Sequence, residues 1–244
     1  MPADVGQVCA QRHGNGIALA ALLATAIAGI LLFVQITQTE RHEAERLRKT
    51  HLASRAALPV LLAEIYDFTD DLRESLRSVF GSTVSNVVDK SVATLKLPRG
   101  RPSIVDGLQK AIESSTRRDI QDRLADIIST YQLCYSRLRG LKASLSSPNT
   151  VVLHSDLIKH VIEIASLRAL AGTMYRYVRR ETERMEPYDF QALQLELGSL
   201  YFTDPTGLGD DIDGRNYKAA TAEISRRQVA GMDAYIFKRA NERA

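Results

Sequence analysis

The sequence predicts an all-α protein: one N-terminal transmembrane helix, then a stalk and a helical bundle of about five helices. Three observations carry that reading. Residues 16–36 read GIALAALLATAIAGILLFVQI, 21 residues without a charge, which at 1.5 Å per helical residue is about 30 Å, the thickness of a hydrocarbon core. Beyond them, apolar residues recur at steps of three and four, the period of an amphipathic helix. Between those rows stand Pro, Gly and Ser clusters that punctuate helices. The chain divides accordingly into a short tail (1–15), a transmembrane helix (16–36), a polar basic stalk helix (37–58) and an α-helical domain (59–244).

The apolar run competes with a cleavable signal peptide. Ala24-Thr25-Ala26 and Ala26-Ile27-Ala28 fit an A-x-A site. Secretory apolar cores run about 7–15 residues, however, and this one continues through Ile30 to Val34, which favours a retained anchor. Cys9 precedes the run, whereas a lipidated cysteine would follow it. Orientation comes from the flanks. Arg12 alone stands before the run, while Arg41, Arg46, Arg48 and Lys49, then Arg55, follow it. Lys and Arg near a span stay cytoplasmic and acids count little. The expectation is a single-pass protein of the cell (inner) membrane with its C-terminal domain in the cytoplasm. Within the anchor, Ala20, Ala24 and Ala28 repeat at i,i+4, and Ala21, Thr25 and Gly29 make a parallel row. Such small-residue strips let membrane helices approach closely, so these six are candidates for helix packing in a homo-oligomer.

Thr37 to Leu58 reads as a helix polar nearly all round, the mark of a solvated stalk. Glu45 and Lys49 form an i,i+4 pair in the favourable order. Arg41, Arg48 and Arg55 fall near one line and suggest a basic face. Lipid headgroups are within reach of Arg41, but Arg55 would stand about 27 Å past Thr37, beyond a Debye length of roughly 8 Å. Pro59 then suggests a kink or a fresh helix start. Leu61, Ile65, Phe68, Leu72, Leu76 and Val79 form its apolar row, closed by Gly81. Residues 82–102 admit a short helix or a strand, and Leu97 to Pro102 read as a linker whose two arginines are solvated.

The next helix opens with Ile104, Leu108 and Ile112. It continues through Ile120, Leu124, Ile127, Tyr131, Cys134, Leu138 and Leu141, a heptad-like coiled-coil seam. Cys134 sits in the seam as a small buried hydrophobe. After Ser146 to Asn149 a helix carries Leu157, Val161, Ile164, Leu167, Ala171, Met174 and Val178 inward, and its basic end (Arg176, Arg179, Arg180, Arg184) complements the helix dipole. Glu186-Pro187 starts a short helix with Phe190, Leu193, Leu197, Leu200 and Tyr201 inward. A Gly- and Asp-rich loop (203–213) precedes a last helix over 216–240, with Ile224, Val229, Met232, Tyr235 and Ile236 apolar.

Composition fits a folded domain: 45% hydrophobic and 25% charged, with both signs interspersed. The net charge of +3 is small and spread along the chain, which argues against nucleic acid. Two cysteines describe no disulfide framework. GxxxxGK[ST], HExxH, GxSxG and paired CxxC motifs are absent. Asp211-Ile212-Asp213-Gly214 resembles the centre of a calcium loop, but Gly209 and Ala220 stand where an Asp and a bidentate Glu belong. His154 and His160, six apart, point to different sides of a helix and do not read as a metal pair. No catalytic residue, cofactor or metal ligand is therefore expected. The reading is a membrane-anchored interaction or scaffolding module, its partners the lipid bilayer, a protein partner and copies of itself. A signalling component acting through a partner, or an enzyme without a recognisable motif, are the alternatives.

Overall fold

The computed structural model describes residues 5–182, 184–201 and 212–229, with side chains over 29–182, 184–200 and 215–228. It is built almost entirely of helix: α1 (Val5–Phe80), α2 (Pro102–Ser114), α3 (Arg118–Ser146), α4 (His154–Gly172), α5 (Tyr175–Val178), α6 (Phe190–Tyr201) and α7 (Ile212–Val229), with strands β1 (Thr83–Val84) and β2 (Val87–Val88). Two compact units divide the chain, residues 1–50 and 51–244.

In the first unit the backbone of residues 5–50 is helical. Among the described residues no helix is long and apolar enough to cross a membrane. Of the run 16–36, the side chains before Gly29 lie outside the described residues. Ile30, Leu31, Leu32, Phe33, Val34 and Ile36 are all exposed. The expected pair of Glu45 and Lys49 forms at 2.8 Å.

The second unit corrects the sequence reading at its first residues. Pro59 lies inside α1 rather than at a start. Its missing N–H deprives the Arg55 carbonyl of a helical partner, yet Leu58, Leu62, Ile65, Phe68, Leu72, Leu76 and Val79 are buried on either side of it. Packing of that row outweighs the local cost, as tertiary contact usually does for helices. Arg55 also leaves the expected basic face. It is buried, its Nε and Nη2 donate to the Tyr177 carbonyl at 3.2 and 2.6 Å, and its guanidinium lies 4.2 Å over the Tyr177 ring. Arg55→Ala should therefore lower unfolding stability by about 1–3 kcal/mol, the range for a charge-assisted bond plus a desolvated cation–π contact. Arg48→Ala, at an exposed position of α1, should stay within about 0.5 kcal/mol. Denaturant unfolding of the two variants compares them, and equal losses would count against the assigned role of Arg55.

Residues 83–88 make a strand hairpin, one of the two options left open by the valines. Ser85 and Asn86 both have positive φ, 48° and 67°, as a two-residue I′-type hairpin turn requires. Val87 also bridges to Leu153. Arg101 is not a solvated linker residue: it reaches the Glu64 carbonyl at 3.2 Å and Asp71 Oδ2 at 3.2 Å, and its N–H donates to the Tyr131 hydroxyl at 2.9 Å. Gly107 lets α2 approach α1, since a Cβ there would stand 2.6 Å from Leu61 Cδ1.

The single helix expected over 104–141 is two, α2 and α3. Ser115 and Arg117 are extended, and Ser-Ser-Thr at 114–116 favours local side-chain hydrogen bonds over helix. The α3 seam itself is present entire, every residue from Ile120 to Leu141 in that row being buried. α4 ends at Gly172 instead of continuing to Val178. The short α5 that follows closes in a Schellman motif: Arg180 is left-handed (φ 63°), the Glu181 N–H bonds the Arg176 carbonyl and the Arg180 N–H bonds the Tyr177 carbonyl. α6 begins at Phe190 rather than Glu186, because Asp189 Oδ1 accepts from the Ala192 N–H at 2.8 Å and caps it there.

α4 is the centre of the bundle. Besides the expected row, Ile158, Ile162, Ala165, Ala169 and Leu170 are buried, so the helix is covered on several sides and keeps one polar stripe, through Asp156, Lys159, Glu163 and Ser166, less buried. It packs against α3, α6 and α7. Arg123 on α3 meets Thr173, and Arg137 meets Glu163, so α3 and α4 run in opposite directions. Of the last helix, α7 is described to Val229, with Ala220 and Ile224 buried. Residues 202–211, which include most of the expected loop, and residues 230–240, with Met232, Tyr235 and Ile236, lie outside the described residues, as do the side chains of Tyr201 and Val229.

Candidate functional site

The residues singled out from sequence lie partly outside the described residues. Ala20, Ala21, Ala24, Thr25 and Ala28 have side chains outside the described residues. Gly29 lies in open space, with no atom near a built Cβ. Arg41, Arg46, Arg48 and Lys49 are all exposed. Cys134 is a free, buried thiol, and burial pushes it up to about 12, so it stays protonated and unreactive. His154 Nε2 lies 2.9 Å from Asn216 Oδ1. Among the described residues no group of three or more His, Cys, Asp or Glu could hold a metal ion.

The packing builds a different feature, a cleft of about 460 Å³ between α3, α4, α6 and α7. α3 contributes Thr130, Leu133 and Arg137, and α4 contributes Lys159, Ile162, Glu163, Ser166 and Leu170. Tyr188, Leu193 of α6 and Arg227 of α7 complete the wall. Because α3 and α4 are antiparallel, Arg137, Lys159 and Glu163 gather toward one end and Thr130 and Leu170 toward the other. Arg137 is ion-paired with Glu163. His160 Nδ1 stands 3.7 Å from Glu163 Oε2, yet burial, with Arg137 beside it, holds this imidazole down at about 4. The ring is therefore neutral near pH 7. Lys159 pairs with Asp156 at 3.0 Å and Arg227 with Glu223 at 3.0 Å.

The cleft's hydroxyls at Thr130 and Ser166 donate to helix carbonyls four residues back. Sequence reasoning passed over Arg137, Lys159, Glu163 and Arg227 because they come from three helices. One signal was present: Glu163 is a lone acid within the apolar stretch Val161 to Ala165. The chain matches no family model, no curated protein and no solved structure.

Proposed function

We propose that this is a single-pass, membrane-anchored helical interaction or scaffolding module, held in the inner membrane with its helical domain on the cytoplasmic side. The uncharged run 16–36 followed by Arg41, Arg46, Arg48 and Lys49 carries the proposal. The exposure of Ile30, Leu31, Leu32 and Phe33 supports it, since a row of large apolar side chains left uncovered on a helix suits a lipid environment. The unnamed protein partner and self-association through the small-residue rows remain parts of the same proposal.

Fusion of two reporters after Ala244 tests the orientation. One that works only in the cytosol should be active and one that works only after export should be silent. The reverse pattern would overturn the cytoplasmic placement, and a fusion extracted from membranes by alkaline carbonate would overturn the anchor. Isolation of the full chain in mild detergent should recover a stoichiometric partner or a homo-oligomer, whereas a strictly monomeric chain would count against a scaffold.

A further inference from the structure

The hairpin β1–β2 is apolar on both of its faces. Val84 stands opposite Val87 in the ladder, and Val87 bridges in turn to Leu153. Residues directly opposite share a face, so Val84, Val87 and Leu153 form one row across three extended segments. Alternation places Val151 on the side of Leu153 and turns Val88 and Val152 the other way. Burial agrees. Val88 and Val152 are in the core, whereas Val84, Val87, Val151 and Leu153 are 42–68% exposed. A sheet with one solvated face alternates apolar inside and polar outside, while a strand covered on both faces reads as an unbroken apolar run. Val87-Val88 and Val151-Val152-Leu153 are runs of the second kind. The outer face therefore has the composition of a surface that another element covers.

Charge and width decide what that element is. Asp89 follows two residues after Val87 and is exposed. Its Oδ1 accepts from the Ser91 hydroxyl at 2.6 Å and the Ser91 N–H at 3.0 Å. These bonds hold the carboxyl below its ordinary pKa, so it is ionised near pH 7. Lys90 beside it is engaged elsewhere, its Nζ donating to the Ser147 carbonyl at 2.7 Å and the Thr150 hydroxyl at 2.8 Å. The face thus presents a carboxylate and asks for a cation. An anionic lipid surface carries the wrong charge. A second copy would bring a second Asp89 and no cation to meet either. An extended peptide pairs along an edge, and β1 is only two residues long. Three extended segments span two spacings of about 4.8 Å, roughly 10 Å in all. One α-helix, about 10–12 Å across, covers that width.

We propose that the outer face of the hairpin docks an amphipathic α-helix of a partner protein, its apolar stripe on Val84, Val87, Val151 and Leu153 and a lysine or arginine against Asp89. The inference deepens the interaction reading above and rests on it for the existence of a partner.

Photocross-linking tests the contact, with benzoylphenylalanine at Val84 of the full chain in the cells that make it, and the adduct sequenced by mass spectrometry. The adduct should be a segment whose apolar residues recur at steps of three and four beside a lysine or arginine. Asp89→Asn keeps an oxygen for Ser91 and removes the charge. It should lower the yield about two- to fivefold, the range of one exposed ion pair. Val151→Asp, at a position exposed enough to leave the fold intact, should lower it about tenfold, as loss of one buried valine would. Benzoylphenylalanine at Leu195, exposed on α6, should give no such adduct. No adduct at Val84, an adduct with a second copy or with lipid, or a segment without that period or without a basic residue would overturn the proposal. Yields unchanged in both variants would overturn it as well. An adduct at Leu195 as strong as that at Val84, or in its place, would overturn the hairpin as the docking face and leave the interaction reading standing.

Discussion

Phe68→Ala is expected to destabilise the helical domain by about 3–5 kcal/mol, the range for emptying an aromatic core site. Phe68 is fully buried at the middle of the α1 row. Its ring centroid lies 4.6 Å from that of Tyr131 and 6.3 Å from that of Tyr135, contacts worth about 0.5–1.5 kcal/mol beyond burial. Tyr131 in turn accepts the Arg101 N–H, and Arg101 ties the segment before α2 back to Glu64 and Asp71. Emptying the Phe68 site thus loosens the α1–α3 contact and the strap across it. In a domain of this size the loss corresponds to a midpoint lowered by roughly 6–20 °C. Val60→Ala, on the exposed side of the same helix, should change stability by less than about 0.5 kcal/mol. Thermal and denaturant melts of the two variants compare them, and a loss under about 1 kcal/mol at Phe68 would show that the core collapses around the gap.

Phe68 also marks what was legible in the sequence. Rows that meet one neighbour along one face could be read directly: the α3 seam is buried residue for residue, and so is the α1 row from Ile65 to Val79, whereas Leu61 at its head is only partly buried and Leu62 takes the core position. Periodicity says where a face is but not where a helix stops. The break at Ser115–Arg117 was missed because the apolar row continues across it, and of the two readings of Pro59 the fresh helix start fails because packing on both sides holds the helix through it. α4 showed one stripe to a reader of spacing, although it is buried on several sides. Arg55 looked like part of a solvated line because nothing local reveals that Tyr177, 122 residues away, will cover it. The cleft was not legible for the same reason: Arg137, Glu163 and Arg227 acquire meaning only when α3, α4 and α7 are packed together.

The second large effect is expected at Arg168, a lone cation within the apolar stretch Leu167 to Ala171 that the sequence reading left unused. It is buried and joins three helices. Nη1 donates to Asp70 Oδ1 at 2.7 Å and to Thr69 Oγ1 at 3.3 Å on α1, and Nε donates to Glu196 Oε2 at 3.1 Å on α6. The guanidinium lies 4.4 Å over the Tyr66 ring, and the Tyr66 hydroxyl donates to Glu196 Oε1 at 2.8 Å. Burial, with the Glu196 carboxylate beside it, pushes the Tyr66 phenol up, so it remains a donor over the whole ordinary pH range. Arg168→Ala should cost about 2–4 kcal/mol, somewhat below the 3–5 of a fully buried broken pair because both acids keep some water. The two acids should not contribute equally. The Asp70 contact is shorter, but its side chain is 51% exposed against 21% for Glu196, and screening by water weakens a charge pair more than 0.4 Å of added distance does. Double-mutant cycles with Arg168→Met should therefore give a larger coupling to Glu196→Gln, about 1–3 kcal/mol, than to Asp70→Asn, about 0–1 kcal/mol. Equal couplings, or a larger one to Asp70, would mean that distance rather than burial governs this junction.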